Sequence, residues 1–402
     1  MKHKKMKINY KKLFKYIFIL ALFIFLIFKL SSVIFVPKDN SKEIQIAETS
    51  SKPEPITIHI SAFGDTMCHL TNIKNAYDSS SKDYDFSNVF KNIRKYTENA
   101  DITIGNLETT FAGSSRGYTG YPTFNAPEIL GQNLKDIGVD VLTTANNHCM
   151  DKGISGLVST LNFLDNYGIA HTGTSRSEYE QNTILIKDVN GIKIAFLSYT
   201  YGTNGITVPS DKTYSVNLID KDLIKKHIAS AKEQNVDVIC VSMHWGIEYK
   251  LKPNSTQEEL SDFLFENGVD IILGSHPHVL EPMKKRTITL NDGTTKDGFV
   301  IYSLGNFVSG QVYANTKSTV ILDIQITKNS EGKISIDSVN YTPIYLYDNG
   351  AGSKSRTRYT LIDIKQALKA YESGNDNSIS KSLYNTLKDE LNNITKTVGN
   401  EI

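Results

Sequence analysis

Seven side chains able to hold a metal ion or move a proton stand at comparable places along this 402-residue sequence: Asp65, Glu108, Asn147, His148, His244, His276 and His278. Each lies just past an apolar, β-branched run. In an open α/β sheet that rim is where ligands bind, because several strand ends converge on it. Carboxylate, amide and imidazole together suit Mn²⁺, Fe²⁺ or Zn²⁺ better than Mg²⁺ or Ca²⁺. Taken singly, most have plainer uses. Asp65 after Gly64 reads as a turn or cap, Glu108 as a solvated acid, Asn147-His148 as an Asx turn, and His244 as a core histidine beside the single tryptophan, Trp245. His276-Pro277-His278 is harder to dismiss, since the proline fixes the backbone and aims two rings that folding does not need. Their shared position at strand ends is what makes a site.

Those positions require particular elements. Strands are expected at 56–63, 101–104, 139–145, 236–243, 269–273 and 299–303, each leading into one of the polar groups or into Leu304-Gly-Asn306-Phe. Apolar residues at 154, 157, 158, 161 and 164 give helical spacing with Gly168 as the stop. Further helices are expected near 220–234 and 256–267. Asn190-Gly191 between two β-rich runs marks a hairpin, since both turn positions need positive φ. Strands near 320–326 and 334–341 close a domain over 56–348, and two polar helices, near 359–371 and 378–395, form a tail over 349–402. Alternating strands and helices call for an α/β fold with buried parallel strands, and the hairpins make the sheets mixed.

The charge is uneven. The formal net charge is +1, yet residues 1–30 hold eight lysines and no acid, leaving −7 for the remainder. A body of that sign argues against nucleic acid as partner. The basic tail 1–15 leads into the apolar segment 16–36, which has the length of a bilayer span and one charge, Lys29. Seven lysines ahead of it predict a cytoplasmic N-terminus, a single-pass anchor in the cell membrane and an extracellular main domain. No small-x-small site follows, which favours an uncleaved anchor over a signal peptide. Residues 37–55, rich in Ser, Lys, Glu and Pro, read as a stalk. The three cysteines are too few and too far apart for a disulfide framework or zinc finger. Gly113-x-Ser115-x-Gly117 mimics a nucleophile elbow, but no helix can start at the Gly117-Tyr-Thr-Gly-Tyr-Pro that follows.

Gly64-Asp65, Asn106-Leu-Glu108, Asn146-Asn-His148-x-x-Asp151-x-Gly153, His244-Trp-Gly-x-Glu248-Tyr249, Gly274-x-His276-Pro-His278-Val279 and Tyr302-Ser-Leu-Gly-Asn306-Phe307 resemble, in order, the motifs of the CapA family of capsule and poly-γ-glutamate synthesis, over roughly 57–310. That family is similar to calcineurin-like metallophosphatases, and the resemblance implies their mixed sheets flanked by helices. It also implies Asp65, Asn147, His244, His276 and His278 as metal ligands and His148 as the catalytic group. The sequence departs from the metallophosphatase pattern twice. Met67 stands where an imidazole is expected, and Asn106 stands where a bridging aspartate is expected, with Glu108 two residues on as the replacement carboxylate. One ion or two are both compatible with this set. Arg116 and Asn306 are candidate substrate-binding residues, Arg116 because guanidinium holds carboxylate bidentately, with Tyr118 and Tyr121 lining a groove beside it.

Three readings follow: an anchored protein of capsule or polyglutamate synthesis or export with a metal site, a metal-dependent phosphatase or phosphodiesterase of the envelope, or a non-catalytic module that binds polymer or a membrane synthase. The expected partners are the membrane, a polyanionic polymer and synthase subunits. Intact imidazoles favour metal over the third reading, and Met67 and Asn106 count against the second.

Overall fold

The first long strand, Ile56–Thr66, alternates its side chains between two cores. Ile58, Ile60 and Ala62 enter one, and Phe63 enters another. This is the two-residue period of a strand covered on both faces. The computed structural model describes residues 53–289, 293–350, 356–374 and 378–402. The apolar segment 16–36, the basic tail and most of the stalk lie outside them. Among the described residues no helix is long and apolar enough to cross a membrane.

Two mixed sheets carry the fold. In the eight-stranded sheet the order is Tyr359–Asp363, Ile334–Asp348, Ser318–Lys328, Ile56–Thr66, Ile102–Leu107, Val141–Thr143 and Ala170–Thr172, with Asn306–Val308 added beside the end of Ile56–Thr66. Its four strands from Ile56–Thr66 onward run parallel. The six-stranded sheet runs Met283–Thr289, Thr295–Ile301, Ile271–Ser275, Val238–His244, Ile192–Thr200 and Leu185–Val189, parallel in its centre and antiparallel at both edges.

One apolar cluster joins the facing sides of both sheets: Ile60, Ile104 and Val141 from the first, Ile194, Val238 and Ile271 from the second. The outer faces are covered by helices. Leu130 and Leu134 of Ile129–Asp136 and Leu164 of Gly153–Asn166 cover the first. Ile224 and Ile228 of Lys221–Glu233, with Leu260 and Leu264 of Ser255–Glu266, cover the second. The fold is a helix–sheet–sheet–helix α/β arrangement in which the parallel strands of both sheets end towards a common rim.

The hairpin at Asn190-Gly191 forms with φ of 52° and 93°. The expected helix over 359–371 begins five residues late. Tyr359–Asp363 alternates buried and half-buried residues and pairs with Ile334–Asp348 as an edge strand, and Asp363 then caps the helix Ile364–Glu372 by accepting from the Gln366 amide. The edge is shielded because Asn88 and Asn92 donate to the Tyr359 and Leu361 carbonyls, which blocks further strand addition.

Candidate metal centre

Five strand ends deliver the polar groups. The parallel register between Ile56–Thr66 and Ile102–Leu107 shifts between Phe63 and Asp65, so Asp65 lies inside its strand at an irregularity. Gly64 makes this possible, since a Cβ there would lie 1.9 Å from the Gly305 carbonyl oxygen. The Asp65 amide donates to that same oxygen at 2.8 Å. Glu108 follows Leu107, its amide held by the Thr66 carbonyl at 3.0 Å. The loop after Val141–Thr143 is tied by Asn146, which donates to the Leu107 carbonyl and accepts the His148 amide. His244 ends its strand, and His276 and His278 follow Ile271–Ser275 with φ of 97° and 59°. Two non-glycine residues in the left-handed region cost of order 1–3 kcal/mol each. The surrounding structure imposes that conformation on the paired imidazoles.

The seven groups converge, all of them buried. Asp65 Oδ2 accepts from the His276 amide at 3.3 Å and lies 3.2 Å from His278 Nδ1, while Asp65 Oδ1 accepts from Asn106 Nδ2 at 2.8 Å. Glu108 Oε1 lies 3.6 Å from His244 Nε2 and 3.8 Å from His278 Nε2. His244 Nε2 lies 2.8 Å from Asn147 Oδ1. The His244 and His276 rings are 5.0 Å apart. His148 stands beside this group with Nδ1 2.8 Å from Asp151 Oδ2, and Asn204 bridges it to Asn147.

The electrostatics are those of a buried, incompletely satisfied cluster. Both Glu108 oxygens are buried with no hydrogen-bond partner, and so is His276 Nδ1. Burial, then the neighbouring Asp65 carboxylate, pushes the Glu108 carboxyl well above the usual range. Burial first, and then the other imidazoles, hold His244 well below the usual histidine value, and burial with His278 lowers His276 to about 3. Neutral imidazoles are the form that ligates metal. Ligand atoms of Glu108, His244 and His276, and of Asp65, Glu108 and His278, lie within 4.8 Å of one another. This buried His/Glu/Asp cluster could hold a metal ion, and an ion would satisfy the orphaned oxygens and nitrogen.

The family model of the bacterial capsule synthesis protein PGA_cap matches residues 59–311. The chain belongs to that family. Its relatives include the capsule biosynthesis protein CapA of Bacillus anthracis, 29% identical over 69% of this chain and 66% of that one, and the PGA biosynthesis protein CapA of Bacillus subtilis, 35% identical over 54% of this chain and 53% of that one. The chain thus spans between half and two thirds of the length of these relatives. Similar solved structures include the calcineurin-like phosphoesterase YfkN from Bacillus subtilis, at 16% identity and a TM-score of 0.43 over 85% of this chain and 98% of that one. Another is the Haemophilus influenzae NAD nucleotidase NadN, at 15% identity and a TM-score of 0.44 over 85% of this chain and 61% of that one.

Within this PGA_cap chain the two departures from the metallophosphatase pattern are now located. Met67 is buried and offers only a thioether. Asn106 donates to Asp65, and Thr143 donates to its oxygen at 3.2 Å, so it braces Asp65. Glu108 Oε1 faces both the His244 and His278 rings. Asn306 pairs with Asp65 in the strand register, but its amide nitrogen is turned to Gln311 and Thr316. Arg116 is exposed, and its guanidinium donates to the Lys152 carbonyl and to Ser155 Oγ. Tyr118 is bound to Glu128, whereas Tyr121 is 76% exposed. Sequence reasoning passed over Tyr201, which lies 4.6 Å from the His276 ring, and also Asn204, Glu248 and the pairing of Asp151 with His148.

Outside the cluster, Glu281 is another buried carboxyl with an unpartnered oxygen. Its other oxygen accepts from Gln257 Nε2 at 2.7 Å. Burial raises it from the ordinary 4.5 to about 7. The native state therefore keeps this proton longer than the unfolded chain does, and stability falls as pH rises from about 4.5 through about 7. Glu281→Gln should match the parent at pH 4.5 and exceed it by about 3 kcal/mol at pH 8, read from urea melts at both values. Equal stabilities at pH 8 would contradict this.

Proposed function

We propose that this chain is an anchored, extracytoplasmic protein of capsule or poly-γ-glutamate synthesis or export whose pocket binds Mn²⁺, Fe²⁺ or Zn²⁺ and hydrolyses a phosphoester there. Its partners are the membrane, the anionic polymer and synthase subunits. Membership of PGA_cap supports the setting, and the lysine-flanked apolar segment 16–36 supports the anchor. The observation that carries the site is Glu108, a carboxylate with both oxygens orphaned among imidazoles that burial keeps neutral. A buried carboxylate without a partner is expensive, and a cation is what the surrounding donor set fits.

Asp65, Glu108, His244, His276 and His278 would hold the ion, which would supply Lewis acidity and a water whose pKa falls from about 15.7 towards neutrality. The other parts belong to the chain. Asp151 Oδ2 accepts both the Phe124 amide at 2.6 Å and His148 Nδ1 at 2.8 Å, so the shared proton sits on Nδ1. His148 Nε2 is thereby left to carry a proton to a leaving oxygen. The Phe124 ring, edge-on at 4.6 Å, fixes the imidazole plane. Asn147 and Asn204 link His148 to the cluster, so that proton transfer and ligation share one frame.

The test uses the purified chain loaded with Mn²⁺ and freed of excess. Retained metal that is lost in His276→Ala, with turnover of bis(p-nitrophenyl) phosphate, is the expected result. A chain that retains no metal refutes the reading. Metal without turnover above the His148→Ala background removes the hydrolysis and leaves a binding role.

A further inference from the structure

Glu248 lies in the loop after His244, exposed to solvent, and nothing in the metallophosphatase pattern gives it a role. Its carboxylate is nonetheless within 4.8 Å of ligand atoms of His276 and His278. The approach is built into the backbone. Tyr249, itself at φ 64°, donates its amide to the Pro277 carbonyl at 2.8 Å, and the Trp245 amide donates to the Ser275 carbonyl at 3.1 Å. The loop is also pinned from behind, where a Cβ on Gly246 would lie 2.9 Å from the Gln257 side chain. Gln257 in turn belongs to the cap of the helix Ser255–Glu266. Loop 246–249 and the His276-Pro277-His278 turn are therefore one assembly.

His276 belongs to the inner set with Glu108 and His244, and His278 to the inner set with Asp65 and Glu108. Glu248 meets one imidazole from each. The two rings thus have both a buried and an exposed carboxylate within reach, and His276 Nδ1 is buried without a partner.

The geometry points to Glu248 as a metal ligand: an exposed carboxylate that would complete coordination at His276 and His278 beside the buried donors. This rests on the metal reading of the pocket. Loss of even an outer-shell partner costs a metal site about 10–100-fold in affinity. Loss of a direct ligand costs at least as much.

The test is Mn²⁺ binding by the full chain, followed by calorimetry and by the electron paramagnetic resonance of the bound ion. Glu248→Gln keeps the shape and removes the charged donor, and should weaken binding at least tenfold with an altered spectrum. Glu248→His restores a donor without the charge and should recover most of the affinity. Wild-type affinity in Glu248→Gln overturns the inference while leaving the metal pocket standing. So does a Glu248→His variant no better than Glu248→Gln, because the effect is then one of charge alone. If the parent chain binds no Mn²⁺, the metal reading fails and this inference fails with it.

Discussion

Glu108→Gln should leave the chain unable to retain a divalent ion, while making the metal-free protein more stable than its parent. The two effects have one cause. Without metal, Glu108 is an acid sealed from water beside a second carboxylate, and its oxygens have no partner. Its carboxyl is raised above the ordinary 4.5, so the native state holds the proton and stability drains away as pH climbs above that value. Glutamine of the same shape has no charge to bury, and the relief should be of the order of the ~1–3 kcal/mol that an unsatisfied buried polar group costs. A cation would reverse the sign, because the ionised carboxylate would then be a counter-charge for it, beside His244 and His278. Losing that ligand should exceed the ~10–100-fold cost of an outer-shell change. Thermal melts at pH 5 and 8, with Mn²⁺ and with chelator, give the whole pattern. The parent gains from metal and the variant does not, and with chelator the variant is ahead at pH 8. A variant that still gains from Mn²⁺, or that melts below the parent in chelator, would refute the assignment.

How much of this could be read from sequence depended on the distance over which each signal acts. A strand end followed at once by a polar residue is a local pattern, so Asp65, Glu108, His244, His276 and His278 were visible, and the structure brings all five to one place. Their elements were visible for the same reason, with errors where the pattern is short. Ala170–Thr172 is too brief to show alternation. Tyr359–Asp363 runs straight into a helix, so its two-residue period is masked by the helical period beginning at Ile364. What stayed hidden depends on contacts made across the chain. Asn204 reaches Asn147 and His148 from 57 and 56 residues away, from a loop without periodicity. Glu248 was visible in its motif, but an exposed acid in a loop carries no sign of function until the backbone bond from Tyr249 to Pro277 sets it beside two imidazoles. Arg116 is a different case. Its residue type suits a carboxylate, and two of its five donors go to Lys152 and Ser155, a pairing no local pattern announces.

His148→Ala should lower turnover of a phosphodiester by about 10²–10⁴-fold, the usual contribution of a positioned general acid or base, with bound Mn²⁺ unchanged. His148 is absent from every ligand group in the cluster, and its Nδ1 is committed to Asp151. Asp151 separates orientation from charge. One of its oxygens accepts both the Phe124 amide and His148 Nδ1, so the amide oxygen of an Asp151→Asn variant can accept the same two bonds, keeping the ring and its tautomer in place. Only the counter-charge to a protonated imidazole is lost. The difference between a charged and a neutral hydrogen bond, about 1–1.5 kcal/mol, corresponds to roughly a tenfold loss of turnover. Asp151→Leu removes the acceptor as well, frees the ring to take the wrong tautomer, and should approach the His148→Ala rate. The series is therefore graded: parent, Asp151→Asn, Asp151→Leu and His148→Ala, at constant metal content. Free imidazole should partly restore His148→Ala and leave Asp151→Leu unmoved, since its ring still fills the space. Losses that follow metal content, or an Asp151→Asn variant as slow as His148→Ala, would assign this pair to holding the fold of the site and not to moving a proton.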